Sequence, residues 1–137
     1  MQTLVLCKPD AVRRNLIGEI IRRCEQKGYV VAKLTKLETS RELLAQHYFE
    51  HEGKVFYEPL MEFMLSGPVV AMALDGERVI EGFRSLAGST EPTLAAPGTI
   101  RGDLGRDWGT KVVQNLVHGS DSEESAAREL ALWFSKD

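Results

Sequence analysis

Apolar residues run unbroken through "TLVLC", from Thr3 to Cys7. Such a run predicts a strand buried on both faces. The period then changes. From Leu16 to Lys27, Ile17, Ile20, Ile21 and Cys24 fall on one helical face, and Gly28 supplies a natural stop. Tyr29 to Leu37 alternates in its second half, with Lys33 and Thr35 opposing Ala32 and Leu34, which predicts a strand with one wet face. "SRELLAQHYFEHEG" begins a helix at Ser40, a residue suited to the cap, with Leu43, Leu44 and Tyr48 as its stripe. Phe56 to Leu65 predicts a second short helix with Leu60, Phe63 and Met64 inward. Pro68 to Leu74 is another apolar strand, closed by a turn at Asp75–Gly76. Val79 to Leu86 reads as helix, Asn115 to His118 as a last short strand, and Ser122 to Phe134 as a last helix.

Strands and helices therefore alternate, with two helical segments between the second and third strands. This predicts an α/β or α+β sandwich whose helices cover a small sheet; periodicity alone does not fix the strand order. Gly88 to Thr110 is one long irregular stretch containing several glycines and Pro92 and Pro97. A loop of that length is uncommon in a small domain unless it carries function.

Composition narrows the setting. The 137 residues suit one domain, expected to span 1–137, and 43% hydrophobic with 27% charged residues is an ordinary globular balance. No apolar run approaches the ~20 residues of a membrane span. The first apolar stretch is too short for a signal peptide and has no basic residue before it, so a cytoplasmic protein without membrane attachment is expected. Cys7 and Cys24 lack metal-motif spacing and are expected to be reduced. A net charge of −3 gives no general attraction to nucleic acid, so strong nucleic-acid binding is not expected and any anion site must be local.

One local site is visible in "NLVHGSDSEESAARELALWF". On the last helix Ala126, Leu130, Trp133 and Phe134 form the apolar stripe, and Glu129 lies on its flank. A carboxylate there is expected to be partly buried and to need a partner. If the chain reverses after His118, the residues from Ser122 to Glu129 advance ~10 Å along the helix. That returns Glu129 to the level of His118. A carboxylate on one ring nitrogen fixes the tautomer and leaves the other nitrogen as a nucleophile. Gly119-Ser120-Asp121-Ser122, small residues before a helix N-terminus, would suit an anion such as phosphate. The plain alternative is an ordinary structural histidine with Ser and Asp as helix caps.

The segment "NLVHGSDS" followed by "SAARELALWF" resembles the active-site signature of nucleoside diphosphate kinases. So do "TLVLCKPDAVRRNLIGEII" at the N-terminus, "QHYFEHEGKVFYEPLMEFMLSGPVVAMALDG" in the middle, and "LAGSTEP" and "PGTIRGD" in the long loop. The resemblance runs from Thr3 to about Phe134. It implies a ferredoxin-like α+β fold: a four-stranded antiparallel β-α-β-β-α-β sheet with helices on one face and extra helices inserted. It implies ping-pong transfer of the γ-phosphate from a nucleoside triphosphate to a nucleoside diphosphate, through a phosphohistidine.

Carried over by position, His118 matches the nucleophile, through Nδ1, and Glu129 the carboxylate on Nε2. Lys8 matches the lysine at the transferring phosphate, and Tyr48 a tyrosine near the histidine. Arg84 and Thr90 match groups on the β-phosphate, and Arg101 the arginine at the terminal phosphates, where a planar fork bonds two oxygens. Asn115 matches the ribose contact, Phe56 the aromatic that stacks on the base, Val112 the apolar contact opposite it, and Ser120 the serine beside the nucleophile. Stacking is tolerant of base identity, so broad specificity is implied. Asp121 would reach Mg²⁺ through water, the ion being held mostly by phosphate oxygens.

There is no Walker A sequence and no Gly-x-Gly-x-x-Gly, which argues against P-loop and protein-kinase chemistry. His47 and His51 have zinc-compatible spacing, but "HYFEH" lacks the glutamate of H-E-x-x-H, so they read as ordinary helix residues. "GDLGRDWGTKVVQ" is roughly four residues longer than the family pattern, in a region where insertions are usually tolerated. A homohexamer is implied, with a homotetramer as the alternative. The chain ends soon after the last helix, so no long tail is expected to hold subunits together. The rival functions are a phosphohydrolase, in which water takes the phosphoryl group, and a nucleotide-binding module without transfer.

Overall fold

The computed structural model of the chain describes residues 1–135. Four strands, β1 (Gln2–Cys7), β2 (Val30–Leu37), β3 (Val69–Asp75) and β4 (Val117–Gly119), form one sheet in the order β2-β3-β1-β4. All its pairings are antiparallel. This is the expected β-α-β-β-α-β arrangement. The helices are α1 (Pro9–Arg13), α2 (Ile17–Gln26), α3 (Arg41–His47), α4 (Tyr57–Met64), α5 (Val79–Ala87), α6 (Ile100–Leu104) and α7 (Glu123–Trp133). Short 3-10 turns follow α3 at Phe49–His51 and α5 at Pro92–Leu94.

β1 and β3 are central and buried on both sides, which is why their sequences are apolar throughout. Val5 and Cys7 join Met72 and Leu74 in a core closed by Ile20 and Cys24 of α2 and Phe83 of α5. Leu4 and Leu6 point the other way, joining Leu44, Met61, Phe63, Met64 and Trp133 from α3, α4 and α7. Helices thus cover both faces, whereas one main helical face was expected. The second helical layer gives α7 its place behind β4.

Several local expectations change. Ser40 does cap α3, its Oγ accepting from Leu43 N, but the helix ends at His47 instead of running to Gly53. α1 and α6 lie within segments that periodicity left irregular, each too short to establish a period. On β2, register shifts between Val31 and Lys33, so Ala32 is a bulge. The alternation flips there: Val31 and Leu37 pack inward, while Leu34 is half exposed.

Candidate active site

The register of the sheet positions the histidine. His118 lies directly opposite Leu6, and Val117 opposite Cys7, so β4 is held against the buried end of β1. Gly119 follows because α5 leaves no room for a side chain: a Cβ there would meet Phe83 Cδ2 at 2.6 Å. α7 then runs back along the strand. His118 Nε2 lies 2.8 Å from Glu129 Oε1. Ser120 Oγ donates to the same oxygen at 2.7 Å and accepts from Leu4 N at 3.2 Å. Glu129 is buried with Ala126 and Trp133, at the centre of the helix's buried stripe and not on its flank. With the carboxylate accepting from Nε2–H, the ring carries its lone pair on Nδ1. Burial lowers the His118 pKa and so favours the neutral ring, against the opposing effect of the Glu129 hydrogen bond.

A cavity of about 360 Å³ opens onto His118 and Glu129, and Lys8, Tyr48, Arg84 and Thr90 line it. Arg101, Asn115 and Asp121 line it as well. Lys8 stands where β1 ends and α1 begins. Its Nζ donates to Asn115 Oδ1 at 2.8 Å, and Asn115 Nδ2 donates to the Thr90 carbonyl at 3.0 Å. Burial brings Lys8 down to about 8, with Arg101 acting in the same sense and Asp10 against it. Arg101 donates to the backbone carbonyls of Asn115 (3.0 Å), Gly88 (2.8 Å) and Val117 (2.7 Å). Its fork therefore ties the long loop to the entry of β4, and its remaining N–H groups are those left for an anion. Burial and then Arg84 push it down to about 10, still charged at neutral pH.

The Tyr48 hydroxyl is buried without a hydrogen-bond partner, and burial followed by the Glu129 charge raises its pKa. Asp121 lies at the cavity rim, and hydrogen bonds from Ser125, then Ser122, lower its pKa despite some burial. Phe56 occupies the cap position of α4 and is 41% exposed; it does not line the cavity itself, but its ring lies 5.1 Å from that of His51, which does. Val112 is not among the cavity residues. It packs on the core cluster containing Phe63 and lines a separate shallow pocket with Pro59 and Thr110. The N-terminus of α7 is also not a free anion site: Ser122 Oγ takes Ser125 N, and Glu123 and Glu124 occupy the first turn. The positive charge at the cavity comes from Lys8, Arg84 and Arg101, which line it.

The comparisons with known proteins agree with this geometry. The family model for nucleoside diphosphate kinase matches residues 1–137. The chain belongs to the nucleoside diphosphate kinase family. It is 60% identical over 134 residues to the nucleoside diphosphate kinase of Streptomyces avermitilis, covering 97% of this chain and 95% of that protein. The enzyme of Mycobacterium avium is 57% identical over 134 residues, covering 97% of this chain and 96% of its own. Among solved structures, a halophilic nucleoside diphosphate kinase from Halobacterium salinarum in complex with CDP superposes with a TM-score of 0.93 at 45% identity, over 100% of this chain and 88% of that one. Members of this enzyme family transfer phosphate between nucleotides.

Within this nucleoside diphosphate kinase fold, two residues near the site escaped sequence reasoning. His47 is buried against His118, ring centroids 4.7 Å apart, and its Nδ1 accepts from Trp133 Nε1 at 3.0 Å. Burial brings its pKa down to about 2, so it stays neutral, with its proton on Nε2. His51 belongs to the following 3-10 turn and pairs instead with Lys54, Nζ to Nδ1 3.2 Å. The signal for His47 was its place three residues after Leu44 in the helical stripe. Asp10 is the other omission: it is 5% exposed, and its Oδ2 accepts from Leu116 N at 3.1 Å.

Proposed function

We propose that this chain moves the γ-phosphate of a nucleoside triphosphate such as ATP to a nucleoside diphosphate by ping-pong transfer, with His118 as the phosphorylated residue. The observation that carries this reading is the 2.8 Å bond from His118 Nε2 to Glu129, itself shared with Ser120, in a cavity lined by Lys8, Arg84 and Arg101. In the first half-reaction the Nδ1 lone pair attacks the γ-phosphorus. The bond from that phosphorus to the bridging oxygen breaks, and the diphosphate leaves with the bond electrons. The Nε2 proton stays between His118 and Glu129, so the ring's growing positive charge faces a carboxylate. In the second half a terminal oxygen of the acceptor diphosphate attacks the phosphohistidine phosphorus, and Nδ1 recovers its lone pair.

Lys8, Arg84 and Arg101 offset phosphate charge, and the unpartnered Tyr48 hydroxyl is a donor beside the reacting group. Thr90 and Asn115 hold the β-phosphate and the ribose. Phe56 offers a stacking face without hydrogen-bond readout, in keeping with broad base specificity. A CDP-bound relative with a TM-score of 0.93 supports a nucleoside diphosphate as one substrate. Mg²⁺ fits the donor set: Asp121 is an acidic oxygen ligand on the cavity rim whose pKa is lowered by Ser125 and Ser122, and most other ligands would be phosphate oxygens. When bound, the ion neutralises charge on the transferring phosphates.

The chain is proposed to act as one domain, 1–137, in the cytoplasm. No helix among the described residues is long and apolar enough to cross a membrane, and Cys7 and Cys24 are free thiols. Assembly into a homohexamer, with a homotetramer as the alternative, is supported by exposed Val30 and Leu34 on edge strand β2. Static light scattering on the purified protein separates the two.

The test of the phosphohistidine is a two-step label transfer. The protein is incubated with γ-labelled ATP and Mg²⁺, freed of nucleotide, and assayed for an acid-labile, base-stable phosphoprotein; GDP is then added. Label passing from protein to GTP, and absent in His118→Ala, is the expected result. No labelled protein under conditions where ATP binds would overturn the reading in favour of a nucleotide-binding module, and phosphate release to water at the rate of transfer would favour a phosphohydrolase.

A further inference from the structure

The loop that carries the phosphate site into β4 contains a backbone position that needs an explanation. Leu116 has φ +72°, a left-handed conformation costly for a side chain of its kind. Two bonds clamp it. Lys8 N donates to Leu116 O at 2.8 Å, and Leu116 N donates to Asp10 Oδ2 at 3.1 Å. The residues on either side hold the site together: Asn115 and Val117 present their carbonyls to Arg101, and the Asn115 side chain bridges Lys8 and Thr90. Asp10 itself is buried, and its Oδ1 has no hydrogen-bond partner. A buried carboxylate oxygen left unpartnered costs stability unless nearby positive charge compensates. That charge is present, since Asp10 acts electrostatically on both Lys8 and Arg101.

We propose that Asp10 is a positioning residue of the phosphate pocket, pinning the left-handed Leu116 turn through Oδ2 and serving as the buried counter-charge beside Lys8 and Arg101 that keeps Lys8 cationic while it waits for phosphate. The proposal rests on the phosphate-transfer reading only for the identity of the anion. Two roles are separable. Asp10→Asn keeps an oxygen that accepts from Leu116 N and removes the charge. Asp10→Ala removes both.

Lys8 sets the readout. Arg101 faces it from α6, and His118 lies nearby on β4, with Arg84 of α5 acting on Arg101. His47 of α3 stays neutral, and the Cys7 thiol, pushed up to about 12 by burial, does so too. Asp10 alone among the groups acting on Lys8 favours its charged form.

Lys8 is charged below about 8 and neutral above, so phosphate affinity in the native chain should fall as pH rises through that value. The experiment is calorimetric titration of the full chain with ADP from pH 6 to 9.5, alongside phosphoprotein formation from γ-labelled ATP. Asp10→Asn is expected to bind ADP like the native chain near pH 6 and to lose affinity at a lower pH, by about half a pH unit or more. Asp10→Ala is expected to bind about tenfold more weakly even at pH 6, because the Leu116 turn is released. Circular dichroism establishes that both variants are folded; should Asp10→Ala not fold, Asp10→Asn alone decides. An alkaline limb in Asp10→Asn that coincides with the native one overturns the counter-charge, and native ADP affinity in a folded Asp10→Ala overturns the positioning role. If native protein binds ADP but forms no phosphoprotein, the transfer reading fails while this comparison still gives its answer.

Discussion

The proposed nucleotide site has an inner end, the cavity over His118, and an outer end, the Phe56 face next to His51, and the two are built differently. At the inner end the reacting histidine and its carboxylate stand on regular structure. His118 sits on β4, Glu129 on α7, and Ser120 closes the link back to Leu4 on β1. The outer end is carried by turns. Phe56 is a cap residue, 41% exposed, whose neighbours are His51 in a 3-10 turn and Lys54, 5.7 Å from its ring centroid. The contrast matches the tasks: attack on phosphorus needs a nucleophile fixed in angle and tautomer, whereas accepting different bases needs only a flat apolar face.

If the inner end owes its function to fixed charge and orientation, Glu129→Gln should have the largest effect. The amide can still occupy the site and turn its oxygen to both donors, His118 Nε2–H and Ser120 Oγ–H, but it brings no negative charge and sets an N–H₂ toward the Arg128 guanidinium. The rate of phosphoprotein formation should fall about 100-fold or more, with little change in ATP affinity. Rapid-quench measurement of the first half-reaction checks this. A variant that phosphorylates at the native rate would show that Glu129 only packs the helix.

At the mouth the effect should be smaller and of the opposite kind. Phe56→Ala removes a stacking face from an exposed ring and touches nothing that bonds His118. The loss should be about 1 kcal/mol of nucleotide binding, or about fivefold in KM, with kcat unchanged. Steady-state kinetics with both ADP and CDP as acceptors test it. A fall in kcat would mean that the mouth also aligns the phosphates, and the separation of the two ends would break down.

The same division governs what the sequence disclosed. The inner end was readable because helical and strand periods are rigid rulers: once α7 starts at its Ser122 cap, the level of Glu129 relative to His118 follows. The central strands were legible because burial on both faces leaves an unbroken apolar run. What escaped depends on tertiary context. α1 and α6 contain too few residues to show a period, and the bulge at Ala32 inverts the faces of β2 without any mark in the alternation. His47 and Asp10 look like ordinary polar residues; only packing reveals that one lies behind His118 and the other under Leu116. The resemblance to a family added roles that no period contains, and it was least informative between Arg101 and Asn115.

Val112 is where that limit can be measured. The resemblance implied an apolar base contact at Val112, but the loop between Arg101 and Asn115 holds that side chain away from the cavity. Asp107 N donates to Thr93 Oγ1 at 2.9 Å, and the Arg106 guanidinium lies 3.9 Å from the Trp108 ring centroid. The chain then lays Val112 on the core cluster of α4, beside Phe63 and away from the cavity. A side chain placed there contributes to stability before it contributes to binding. Val112→Ala should therefore lower unfolding stability by about 1 kcal/mol, as expected for methyl groups withdrawn from a half-buried contact. It should leave KM for nucleoside diphosphates within about twofold of native. Urea unfolding and acceptor kinetics on the same preparation read both quantities. A KM increase as large as that of Phe56→Ala, with stability unchanged, would mean that nucleotide draws this loop over the base, and the mouth would then be completed by the ligand instead of standing open beside a prebuilt phosphate end.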